Sequence, residues 1–236
     1  MKKVRKGNQP KTYRDWRTKV AGTAKEDYRE MPKNIRADLL TALVAEQGGL
    51  CAYTMRKIDA EVSSHVEHIR PETLCRADLR GADLNYNNLL ACYPKSGMKA
   101  GFRYGAHEKG DWWENNGAAF VSPLDPNCEK RFSFDLDGNI TAVANHANAV
   151  ATISILALDH KSLTDDRKRV IREYIYGETG DAPLSRTNAF RAASSVCKAN
   201  ADGFFHEFCV AIRDALSEHL EDVRKLAQRR KCARKK

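Results

Sequence analysis

Apolar side chains at Ile35, Leu39, Leu40, Leu43 and Val44 share one face of the stretch NIRADLLTALVAEQGG, residues 34–49. That spacing predicts an amphipathic helix capped by Asn34 and stopped by Gly48-Gly49. Beyond Leu50 the period shortens. LCAYTM and HVEHIRP read as extended segments about ten residues apart, which predicts a hairpin between them. A polar stretch, ETLCRADLRGADLNYN, leads to the apolar run Leu89-Leu90-Ala91-Cys92. Residues 93–106, with Pro94 and three glycines, read as an irregular loop. In RFSFDLDGNI, Phe132, Phe134 and Leu136 alternate with polar residues before the turn pair Asp137-Gly138.

From about Asn145 the helical period returns. ANAVATISILAL is one segment, and LTDDRKRVIREYIYG another, with Thr164 as cap, Asp165 and Asp166 in its first turn and Gly177 as stop. A further helix is expected near 187–198. In the last one, Phe204, Phe208, Ile212, Leu216, Leu220, Val223 and Leu226 repeat at helical spacing. That stripe reads as core packing, with a partner-binding face as the alternative. Residues 1–31, polar with Tyr13, Trp16 and Tyr28, read as an arm that packs at a few points.

With 42% hydrophobic and 30% charged residues, the 236-residue chain has the composition of a folded soluble protein. No run approaches the roughly 18 apolar residues of a membrane helix, and MKKVRKGNQPK lacks the apolar core of a signal peptide, so the expectation is a cytoplasmic protein. The seven cysteines are irregularly spaced and include no C-x-x-C, which argues against a disulfide framework or a four-cysteine zinc site. The net charge of +9 is concentrated at the ends: four cations in the first six residues and eight in the last thirteen leave the body slightly acidic. Such tails contact nucleic-acid phosphates or an acidic partner, or simply solubilise.

Within SSHVEHIRPE, an extended chain alternates its side chains, so Glu67 shares a face with Ile69 while His68 and Arg70 share the other. If Ile69 faces inward, Glu67 needs a cation; the alternative is an exposed carboxylate at the end of a surface strand. Two further groups follow in order: NYNNLLAC at 85–92, containing Asn88, and HEKGD at 107–111, in which His107 and Asp111 are four apart and would share a helical face. This ordered set resembles the HNH, or ββα-metal, nucleases. The longer run AEQGGLCAYTMRKI…HVEHIRPE…LNYNNLLAC…HEKGDWW…FVSPLDPNCEKRFSFDLDGNI is similar to the PtuB family, the HNH subunits of Septu anti-phage systems, including the retron-associated form.

The resemblance implies an α+β fold: an N-terminal arm and helix over 1–49, a ββα-metal nuclease core over 50–144, and a helical C-terminal region with a basic tail over 145–236. It implies phosphodiester hydrolysis with His68 as the base that activates water, Asn88 orienting the His68 imidazole, and His107 completing the catalytic set. One Mg2+ or Mn2+ would be held by Glu67 and His107, with Asp111 as a further ligand. Arg70, Lys109, Arg229, Arg230 and Lys231 are the candidate nucleic-acid contacts. Implied partners are a PtuA-type ATPase, a DNA or tRNA substrate, and a retron reverse transcriptase with its msDNA; no membrane is involved.

The chain departs from that pattern in two places. Many relatives carry two cysteine pairs for structural zinc, whereas here Cys51-Ala-Tyr-Thr54 and Cys92-Tyr-Pro-Lys95 each keep one cysteine, so no structural zinc is expected. The third histidine also follows an inserted loop. His65, on the strand face opposite His68, is left out of the expected site. Trp112-Trp113 reads as a buried pair covering the metal helix, with base stacking as the alternative. The competing functions are a DNA nuclease, an RNA (tRNA) nuclease on the same site, and an adaptor that cuts nothing.

Overall fold

A computed structural model describes residues 1–95, 103–177 and 182–233, the side chains of 226, 227 and 229–233 excepted. The architecture is α+β. Helices α1 (Lys11–Val20) and α2 (Lys33–Glu46) precede strand β1 (His65–His68), helix α3 (Glu72–Asp78) and strand β2 (Leu89–Cys92). Then come the single-turn α4 (Ala106–Lys109), strands β3 (Phe132–Phe134) and β4 (Ile140–Ala142), and helices α5 (Ala147–Ile155), α6 (Lys161–Tyr176), α7 (Arg186–Ser195) and α8 (Cys209–Ala233). The described residues contain two separate two-stranded antiparallel sheets, β1–β2 and β3–β4. No helix among them is long and apolar enough to cross a membrane.

The expected α2 is present, but it begins two residues earlier, behind Pro32 rather than on an Asn34 cap. Proline suits this boundary because it has no N–H to satisfy and its φ is already fixed. The expected hairpin is replaced by a different pairing. Leu50 makes an isolated bridge to Lys57, and β1 pairs instead with β2, His65 opposite Cys92 and His68 opposite Leu89. All four β2 residues are buried, so this apolar run is the better partner for a strand that must cover its inner face.

The N-terminal segment is more than an arm. Met1, Val4, Tyr13, Val20 and Tyr28 are all buried, and the Val4 N–H donates to Pro123 O at 2.9 Å. Lys2 pairs with Glu129 at 2.7 Å, and Lys6 pairs with Glu46 and donates to Leu89 O at 2.9 Å. These two lysines are therefore committed to internal contacts.

In the C-terminal part, Gly138 turns the β3–β4 hairpin as expected. Helix α6 starts at Lys161, where the His160 ring accepts the Ser162 N–H, one turn before the expected Thr164 cap. Helix α8 begins at Cys209, so Phe204 lies outside it and is exposed, while Phe208, Ile212 and Leu216 are fully buried. Phe204 and Phe205 instead lie across the end of α2. A Cβ at Gly48 would sit 2.4 Å from Phe205 Cδ2, and one at Gly49 would sit 2.6 Å from Phe204 Cδ1. Both glycines have positive φ, +59° and +72°. Gly49→Ala therefore meets both backbone strain and overlap, and it should lower unfolding free energy by about 2 kcal/mol in urea titration.

Candidate functional site

Strand β1 carries the centre of the candidate site. Its alternation places His65 and Glu67 on one face and Val66 and His68 on the other. His68 is buried, and its ring meets the Tyr28 ring edge-on at 4.8 Å between centroids. Its Nε2 lies 2.9 Å from Asp83 O. A carbonyl only accepts, so Nε2 carries the proton and Nδ1 of the neutral ring holds the free lone pair. Burial pushes the His68 pKa below its ordinary value and outweighs the opposing pull of the Asp83 carbonyl and of the Glu67 and Asp83 charges. The ring is thus held neutral, with one nitrogen anchored and the other able to accept a proton.

The Asn88 amide bonds to the backbone of Arg70 and not, as expected, to that ring. Its Oδ1 accepts the Arg70 N–H at 2.8 Å, and its Nδ2 donates to Arg70 O at 2.9 Å. The Ile69 N–H also donates to Asn88 O at 2.9 Å. Asn88 therefore pins the backbone just beyond β1, and the orientation of the His68 ring comes from Asp83 and Tyr28. Chain reversal between β1 and β2 brings Asn88 against the strand end, where both ends of its amide are taken by the Arg70 backbone.

Glu67 does have the cation its position requires, but that cation is a lysine. Lys109 Nζ lies 3.0 Å from Glu67 Oε1, and it also donates to His68 O at 3.1 Å. Lys109 is 2% exposed, which removes it from the expected nucleic-acid contacts. Tyr53 OH also reaches Glu67 Oε1, at 3.4 Å, and His65 Nε2 lies 3.8 Å from Oε2. Although burial opposes it, the Glu67 carboxylate and Pro94 O raise the pKa of His65.

These opposite shifts are testable by NMR titration of the imidazole C–H signals. His68 should titrate below the ordinary value of about 6.5, and His65 above it. By linkage, the stability tied to a neutral His68 is lost as pH falls from about 6.5 through its lowered folded pKa. The stability tied to a charged His65 is present below about 6.5 and is lost as pH rises through its raised folded pKa.

His107 lies on α4 and is exposed, lining a small cavity of about 250 Å³ with His65, Pro94, Ala106 and Gly110. Asp111 falls outside the helix, because α4 ends at Lys109 and Gly110 takes φ +48°. The four-residue spacing consequently does not put Asp111 and His107 on one helical face. The ligand atoms of Glu67, His107 and Asp111 do not all lie within 4.8 Å of one another, so these three do not form a converged ligand group here. Among the described residues, the group of three potential ligands that does converge is Asp27, Glu72 and Asp83, with oxygens all within 4.8 Å of one another. The sequence reading missed all three.

Arg70 pairs with Asp78 across α3. Arg229, Arg230 and Lys231 fall on α8, and their side chains lie outside the described residues. Trp112 is half-buried 6.4 Å from the Phe120 ring, and Trp113 lies over Gly117, so both pack against the core. Cys51 and Cys92 are fully buried neighbours. Burial raises the Cys51 pKa, but hydrogen bonds from Cys92, Thr54 and the Tyr93 N–H overcome it and bring the thiol down to about 6.

Against known proteins, the chain is 27% identical over 155 residues to a Vibrio cholerae serotype O1 biovar El Tor protein described as "Retron Vc95 putative HNH endonuclease". The match covers 64% of this chain and 69% of that protein. The chain is a distant relative of that retron protein. This supports the HNH endonuclease family, and with it a hydrolase. No family model matches the chain.

Proposed function

We propose that the chain is an HNH-type endonuclease that hydrolyses phosphodiester bonds of nucleic acid, DNA in preference to RNA, as the effector of an anti-phage system. In this reading it is a PtuB-like subunit controlled by a PtuA-type ATPase, with a retron reverse transcriptase and its msDNA as further associates. The observation that carries the reading is His68. Its imidazole is buried and neutral, fixed through Nε2 by Asp83 O, and set on a strand end pinned by Asn88. The relationship to a retron protein described as an HNH endonuclease supports the same chemistry.

In that chemistry, Nδ1 of His68 takes the proton from the attacking water as its oxygen bonds to phosphorus, while the P–O bond to the leaving sugar oxygen breaks and that oxygen takes a proton from solvent. Asp83 O and Tyr28 hold the ring so that little reorganisation is needed at that moment. A divalent ion, Mg2+ or Mn2+, supplies charge neutralisation and leaving-oxygen stabilisation in this reaction class. Because Glu67, His107 and Asp111 do not converge here, no step is assigned through an ion at those residues.

The buried Lys109–Glu67 pair favours a second reading, a non-catalytic adaptor, since it neutralises the carboxylate expected to meet a metal. One assay separates the two. Purified chain is incubated with plasmid DNA and total tRNA, with Mg2+ or Mn2+, alone and with the ATPase encoded beside it. Cleavage of either polymer that His68→Ala removes supports the nuclease and identifies its substrate. Binding without cleavage under all these conditions supports the adaptor.

A further inference from the structure

We propose that Asp27, Glu72 and Asp83 form a site for one hard divalent cation, of the Mg2+, Mn2+ or Ca2+ class, which braces the wall behind His68. A group of acids is ordinary on its own; Asp83 makes this one different. Its side chain is fully buried, and Oδ2 accepts the Tyr28 N–H at 2.8 Å, yet Oδ1 has no hydrogen-bond partner. A buried carboxylate oxygen with no donor is strongly unfavourable until a cation meets it.

The neighbouring arginines do not fill that role. Arg29 engages Asp27, with Nη2 2.7 Å from Oδ2, and Arg76 pairs with Glu72 one helical turn away. Asp83 forms no ion pair among the described residues. All three donors are carboxylate oxygens, hard donors of the kind that suit Mg2+, Mn2+ and Ca2+.

The three ligands stand on separate segments around His68. Asp27 caps the turn Tyr28–Glu30, Glu72 opens α3, and Asp83 lies in the turn Ala82–Leu84. Tyr28 supplies the ring against His68, and Asp83 supplies the carbonyl that binds its Nε2. A bound ion ties both supports to the helix that follows β1. The effect on cleavage rests on the nuclease reading above; the binding itself does not.

The test is Mn2+ binding by metal-stripped full-length chain, followed through the EPR signal of free Mn2+. Wild type, Asp83→Asn, Glu72→Gln and His107→Ala are compared. The wild type and His107→Ala should bind one Mn2+, while Asp83→Asn and Glu72→Gln should bind at least tenfold more weakly. Glu72 is only half-buried, so its variant keeps the test decisive if Asp83→Asn fails to fold. No binding by the wild type at millimolar Mn2+, or unchanged affinity in Glu72→Gln, overturns the site, as does loss confined to His107→Ala. Intact Mn2+ binding without cleavage leaves the site standing and removes the nuclease reading; cleavage without this binding does the reverse.

Discussion

His68→Ala should leave a folded chain whose cleavage rate falls by about 10²- to 10⁴-fold, the usual contribution of a positioned general base. The loss belongs mainly to the chemical step, so kcat should fall while substrate affinity, read by filter binding, changes little. Folding is checked by circular dichroism, because the substitution also leaves the Asp83 carbonyl without its donor and removes the ring that Tyr28 packs against. A pH profile sharpens the result. With the His68 pKa lowered by burial, wild-type activity should stay level as pH falls through the ordinary histidine range and decline only at more acidic pH. A decline centred at or above about 6.5 would assign the base to another group, such as His65, whose pKa is raised.

The second large effect is expected on stability. Lys109→Met removes the cation from a carboxylate whose side chain is only 13% exposed, and it should cost about 3 kcal/mol in urea unfolding. Methionine retains the buried volume, so the loss reports charge rather than packing. Adding Glu67→Gln should recover most of the deficit, because the double variant leaves no buried charge unmatched. If the single variant loses less than about 1 kcal/mol, another cation carries Glu67, and His65, 3.8 Å away with its pKa raised, is the leading candidate.

The same pair shows how far the sequence can be read. Alternation along β1 put Glu67 on the face of Ile69 and made a cation necessary if that face turned inward; Ile69 is buried, and the requirement is met. The identity of the cation was not legible, because Lys109 is distant in sequence and is the last residue of a single-turn helix. The reading of HEKGD as a longer helix put Asp111 beside His107, but Gly110 turns the chain away first. Periodicity exposed α2, α6 and the strand β3 with the turn after it, because each shows its pattern over several residues. The pairing of β1 was misassigned because two short apolar runs, LCAYTM and LLAC, are equivalent partners on local grounds. Only tertiary burial distinguishes them. Asp27 and Asp83 left no trace in the pattern at all. Both lie in irregular turns, where a buried acid and an exposed one look the same.

The contact between the end of α2 and the segment leading into α8 also bears on how the chain is made. Phe205 N–H donates to Gly48 O at 2.9 Å, and Phe208 N–H donates to Met55 O at 3.1 Å. Phe208 and Ile212 belong to the same buried cluster as Leu39, Leu90 and Leu163. A ribosome delivers residues in order, so the first two hundred emerge while the hydrophobic surface that waits for Phe208 is still open to water. The nascent chain must keep that surface from associating elsewhere until α8 arrives. The core that Phe208 and Ile212 share with Leu39 and Leu90 is therefore closed only once α8 has been made, and a chain interrupted before α8 would be released with it open.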